Sequence, residues 1–198
     1  YNSEAGNKEY NSHFRVAYIN PSSHRDMLQQ ISEKTGVPVD AIMVSATHNH
    51  SSPDLMNMAE PSVPRYIESL KNWMTQAAVL AMKDRAETTV HIASTKTENL
   101  NFVRRYQLQN GTYAGDNFGS FKNAPIACHE TEADNQLQLV RFQRQNKKDI
   151  ILANFQTHPH MGAGSNDTNQ HADWPGIMRD TLEEKLDCHA MYLSGAGG

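Results

Sequence analysis

The chain has 198 residues, enough for one sizeable domain with a full core. Its 18 lysines and arginines against 22 aspartates and glutamates leave a net charge of −4, which calls for no nucleic-acid partner. No apolar run reaches the roughly 18 residues that a membrane helix needs, and the two cysteines, Cys128 and Cys188, form no CxxC pair and no disulfide framework.

The chain opens on Tyr1 rather than Met, so the lack of a leader sequence says nothing about secretion. Residues 1–12 are polar and read as a loop or a cut end. Phe14–Ile19 (FRVAYI) reads as a buried strand. Pro21-Ser22-Ser23 then starts a helix over His24–Thr35, with Met27, Leu28 and Ile31 on one face and Gly36 as its stop. A second buried strand is expected over Ile42–Ala46, so the opening reads β-α-β and favours a parallel pair with a right-handed crossover. After a loop carrying Pro53, Pro61 and Pro64, a long helix is predicted from about Tyr66 to about Arg85. Its core stripe is Ile67, Leu70, Trp73, Met74, Ala77 and Leu80.

Val90–Ser94 alternates as a strand, with His91 on a sheet face. Residues 97–135 are rich in Asn, Gly and charge and read as a long excursion with short strands, a kind of segment that tends to carry function. Within it Asn101-Phe-Val-Arg-Arg-Tyr106 stands out. Gln136–Gln143 and Asp149–Gln156 are the next strands, the latter with core Ile150, Ile151, Leu152 and Phe155. Met161–Asn169 is a Gly/Ser/Asn loop. A helix follows over Ile177–Leu186, preceded by Pro175, and then a strand over Ala190–Leu193 and a Gly-rich turn, Ser194–Gly198. There is no internal repeat and no linker. The expectation is one α/β domain: a mixed, partly parallel sheet flanked by helices, with a long excursion between strands.

The ten histidines are the compositional oddity. Five of them fall in three clusters: His48-Asn-His50, His158-Pro-His160 and His171-Ala-Asp173. The first two directly follow strand-like segments. Spacing by two in an extended backbone would point His48 and His50 to the same side, at the mouth of a sheet. Together the clusters predict one convergent metal site. Zinc is the first metal to consider, because it accepts imidazole and carboxylate and keeps an open position in catalytic sites. His48 and His158 are the leading ligands. His50 and His160 are either further ligands or groups that orient substrate or water. Asp173 is a ligand, a general base or a helix N-terminal carboxylate. Arg104 and Arg105 read most simply as a solvated pair, with a role for one of them in binding an anionic or amide-bearing group as the alternative. Cys128 and Cys188 either pair or remain free and buried. The Gly-rich end does not match a P-loop.

Ala46-Thr-His-Asn-His-Ser-Ser-Pro-Asp54 resembles the ATHTHSGP motif of the neutral/alkaline (non-lysosomal) ceramidases. Four further stretches resemble that family in the same order: Arg104-Arg105-Tyr106, Phe155-Gln-Thr-His158-Pro, His171-Ala-Asp173-Trp-Pro-Gly176 and Leu193-Ser-Gly-Ala-Gly-Gly198. The resemblance implies a zinc-dependent amidohydrolase that cleaves the N-acyl bond of a sphingolipid and acts outside the cytoplasm, either periplasmic or secreted. It implies His48 and His158 as zinc ligands, His50 as the neighbouring site histidine and Arg104 (or Arg105) as the site arginine. It also implies that residues 1–198 form the N-terminal portion of a longer catalytic domain, truncated at both ends, with the nucleophilic serine and two further zinc ligands beyond Gly198. Three positions depart from the motifs: Asn49 stands for Thr, Ser52 for Gly, and His171 where Ser is common. The expected partner is a small-molecule or lipid substrate. The alternatives are a metallohydrolase of the same scaffold acting on an ester or a carbohydrate-linked amide, and a non-catalytic metal- or ligand-binding protein.

Overall fold

The computed structural model of the chain describes residues 19–53, 55–115, 125–161 and 170–197. The strand expected over Phe14–Ile19 lies outside them except for Ile19, and the loop expected over Met161–Asn169 except for Met161. The described residues form a mixed α/β fold with a partly parallel sheet flanked by helices.

Helix α1 spans Pro21–Thr35. The Asn20 side chain accepts from Ser23 N–H at 2.9 Å, Pro21 occupies the first turn, and Gly36 closes the helix at φ 73°. Helix α2 spans Ser62–Lys83 and packs on α1. Met27 and Ile31 of α1 meet Val63, Ile67 and Leu70 of α2 around buried Leu55, with Ile42 and Val44 packed against the cluster. Leu80, expected in the core stripe, is instead exposed, on the wall of an open groove that Gln30 and Lys34 of α1 also line.

The main sheet runs in the order β1 (Thr88–Lys96), β5 (Gln136–Arg144), β6 (Ile150–Phe155), β7 (His189–Ser194). The first two pairings are antiparallel and β6–β7 is parallel, joined through helix α3 (Asp173–Leu186). Ile151, Ala153 and Phe155 are buried on one face of β6, on the side where Leu182 of α3 packs, whereas Ile150 and Leu152 on the other face are half-buried. Trp174 wedges between Phe155 and Tyr192, at ring separations of 6.1 and 4.8 Å. His91 lies on the face of β1 and shares a 3.0 Å hydrogen bond with Gln143, as expected of a sheet-surface residue.

The long excursion contains a small separate sheet, β3 (Tyr113–Gly115), β2 (Arg105–Leu108), β4 (Ile126–His129). Both cysteines are free: Cys188 is buried, but Cys128 is exposed, because it stands in this small sheet, away from the main core.

One element departs from expectation. Ile42–Ala46 forms no ladder among the described residues. Its alternation survives, with Ile42 and Val44 turned to the α1–α2 cluster and Met43 75% exposed. Alternating burial makes an extended segment, but a strand also needs a hydrogen-bonded neighbour. The β-α-β opening is therefore not seen among the described residues.

Candidate metal centre

Strands β6 and β7 run parallel, with Phe155 opposite Ser194. Their C-terminal ends release Gln156-Thr-His158 and Gly195-Ala-Gly197 side by side, the place where ligands collect in α/β sheets. The backbones approach closely there. A Cβ on Gly197 would lie 3.2 Å from the Thr157 carbonyl carbon and 3.3 Å from His158 N, so the glycine admits the His158 strand end.

The second histidine pair arrives on a turn. His48 takes a left-handed backbone, φ 58°, so the pair is not held in the extended form that spacing by two suggested. The His50 N–H donates to the Pro159 carbonyl at 3.3 Å and ties this turn to the loop after β6. The imidazoles of His48, His50 and His158 then converge, with ring centroids 4.7–5.1 Å apart, and His160 stacks on His50 at 4.4 Å. One nitrogen from each of His48, His50 and His158 lies within 4.8 Å of the others.

That donor set fits a metal ion. Three neutral imidazoles suit zinc and its neighbours, and His158 Nδ1 is buried with no hydrogen-bond partner among the described residues. Zinc–nitrogen bonds of about 2.0–2.1 Å at tetrahedral angles put ligand atoms roughly 3.4 Å apart, so side-chain rotations of modest size would close the group. A cleft of about 280 Å³ opens beside His48 and His158, walled by Pro159 and the Ser194–Gly197 turn. A larger groove of about 760 Å³ lies between α1 and α2, but Lys34 is its sole titratable wall and no histidine reaches it.

Burial and neighbouring charge favour the neutral, metal-binding form of two of these rings, His158 and His50. Burial, then the Arg104 charge and the neighbouring His50 and His48, push His158 down to about 4. His50 is lowered by burial first, then by His160, His48 and Arg104, while Asp173 opposes the shift. Arg104 and Asp173 therefore both act on the histidine group. Arg105 points elsewhere, pairing with Glu130 at 2.5 Å and lying over the Tyr113 ring. Asp173 is buried at the first residue of α3 and accepts from Met161 N–H and Trp174 N–H, at 2.9 and 2.7 Å.

Sequence reading missed the ties that hold these loops. Asn101 donates to the carbonyls of Asp134 and Gln156, at 2.6 and 3.3 Å, and Gln156 donates to Asp134 at 2.6 Å. These bonds pin the excursion to the end of β6. Asn49 is buried and joins Ser51 N–H to the His171 carbonyl. The signal for it was only that Asn49 departs from the motif.

No family model matches the chain, and no curated protein matches it in sequence. In fold it is similar to a ceramidase complexed with C2, with a TM-score of 0.64 at 18% identity over 90% of this chain. It is similar as well to a neutral ceramidase from Pseudomonas aeruginosa, with a TM-score of 0.63 at 19% identity, again over 90% of this chain. The chain spans 28% and 29% of the length of those two. At such identity the likeness is one of fold: over nine-tenths of its length this chain has a ceramidase-like fold.

Proposed function

We propose that the chain is one portion of a ceramidase-like, zinc-dependent amidohydrolase that acts outside the cytoplasm on an N-acyl bond of a sphingolipid or similar compound. The observation that carries the reading is the convergence of His48, His50 and His158, from segments more than 100 residues apart, within 4.8 Å. In this reading His48 and His158 hold the metal and His50 stands beside them. Zinc there supplies Lewis acidity towards a carbonyl oxygen. Burial and the Arg104 charge keep His158 neutral and so able to bind the ion. Arg104 presents positive charge to the same space and orients an amide or anionic group of the substrate. Asp173, held by two backbone N–H donors, sets negative charge near His50 and partly offsets the burial and the neighbouring charges that lower that ring's pKa.

The test is elemental analysis of the full-length protein and of its His48→Ala/His158→Ala variant, with hydrolysis of a short-chain fluorescent ceramide followed in parallel. About one zinc per chain, lost with activity in the variant, is the expected result. A metal-free wild type sinks the metal reading. A zinc-loaded protein that leaves ceramide intact but cleaves another N-acyl compound moves the substrate, not the chemistry.

A further inference from the structure

Ser51, His171 and Asp173 have the composition of a nucleophile, base and acid, and Ser51 Oγ lies 3.0 Å from His171 Nε2. The hydrogen bonds run the wrong way for that role. The backbone N–H of Asp173 donates to His171 Nδ1 at 3.1 Å. A backbone N–H only donates, so Nδ1 carries the lone pair, and the proton of the neutral ring sits on Nε2. Nε2–H therefore donates to Ser51 Oγ and cannot take a proton from it. The Asp173 carboxylate, which would have to face Nδ1–H, accepts from the backbone of Met161 and Trp174 instead.

Ser51 and His171 are tied to the His48–His50 turn by further bonds. Asn49 Nδ2 donates to the His171 carbonyl at 2.6 Å, and His171 N–H donates to the Ser51 carbonyl at 3.3 Å. Asn49 Oδ1 accepts from Ser51 N–H at 2.7 Å, and Ser52 Oγ donates to the Asn49 carbonyl at 2.7 Å. Asn49 is 1% exposed and lies between the two histidines of the turn. His48 on that turn holds a left-handed backbone, which a non-glycine residue keeps only when its surroundings enforce it. The three positions that depart from the motifs are bonded together: Asn49 bonds to the His171 carbonyl, and Ser52 bonds to the Asn49 carbonyl.

We propose that His171 is a positioning residue: as an Nε2–H donor to Ser51 it clamps the His48–His50 turn against the start of α3 and presets it for the metal. The inference rests on the metal reading above and deepens it. The clamp predicts that glutamine, which donates but cannot act as a base, replaces His171, and that alanine does not.

The test measures cobalt affinity by its visible absorption in wild type, His171→Ala and His171→Gln, with thermal unfolding of each metal-free protein. Alanine is expected to weaken cobalt binding about tenfold or more, and glutamine to restore it to within about threefold. Nitrogen-15 NMR of the metal-free wild type, at a pH where the ring is neutral, is expected to report the Nε2–H tautomer of His171. An Nδ1–H tautomer, labelling of Ser51 by a fluorophosphonate, or equal cobalt affinity in all three proteins overturns the proposal. No cobalt uptake by the wild type overturns the metal reading itself. The tautomer then decides whether the clamp exists, and its role in metal binding falls with that reading.

Discussion

Gly176 sits in the first turn of α3, three residues after Asp173, and is buried. A Cβ at this position would lie 2.1 Å from the Cβ of Ala172. Carbon atoms pack best at about 3.5–4.0 Å, so Gly176→Ala falls short by about 1.4 Å, and no rotamer relieves a contact between two Cβ atoms. The helix start must shift, taking Asp173 and Trp174 with it. Overpacking of this kind costs about 1–3 kcal/mol, and the size of the clash puts this case at about 3. For a chain of this length that lowers the melting midpoint by roughly 6–12 °C. The assay is thermal unfolding followed by circular dichroism, with a second variant as control. Ala172→Gly removes the opposing methyl, so Ala172→Gly/Gly176→Ala should recover most of the loss, apart from the cost of about 1 kcal/mol or less for the new glycine. A single variant that melts within about 1 °C of wild type refutes the packing argument. So does a double variant no more stable than the single one.

The arginines should separate: Arg104→Gln raises the NMR-titrated pKa of His158 and His50, because it removes a charge that lowers both, while Arg105→Gln leaves them in place. Stability of the metal-free protein should respond to His158 with a definite sign. The unfolded ring takes a proton near 6.5 and the folded one resists until about 4, so the stability is full above 6.5 and is lost as pH falls towards 4. Thermal midpoints of His158→Gln should be flatter across that window, and a parallel profile would count against a neutral, buried ring. Gly197→Ala should weaken cobalt binding while leaving helix content unchanged, since its methyl would press on the His158 backbone at 3.2–3.3 Å. Unaltered cobalt affinity would show that the strand end yields freely.

Much of the architecture was legible because it is local. Asn20, Pro21 and Gly36 punctuate α1 by their own backbone chemistry, the stripes of α1 and α2 and the alternation of β5 follow from period, and β6 was legible as an apolar run although its inward face was not. The histidines after β6 and before the Ser-Ser-Pro turn were legible as candidates for the same reason, since both sit where an apolar run stops. What depended on tertiary structure was every question of partner. Ile42–Ala46 alternates like a strand, yet whether an extended segment joins a ladder is settled by a neighbour far along the chain. Arg104 and Arg105 are the same residue type side by side, and only the placement of β2 turns one to the histidines and the other to Glu130. The imidazole group closes through a backbone bond from His50 to Pro159, over 108 intervening positions that no periodicity records. The tautomer of His171 likewise follows from a backbone N–H that folding delivers to one ring nitrogen. The sequence by itself determined the elements and the chemical types at their ends; the tertiary structure decided which of those ends meet and which atoms hold the protons, because both depend on contacts between residues distant in the chain.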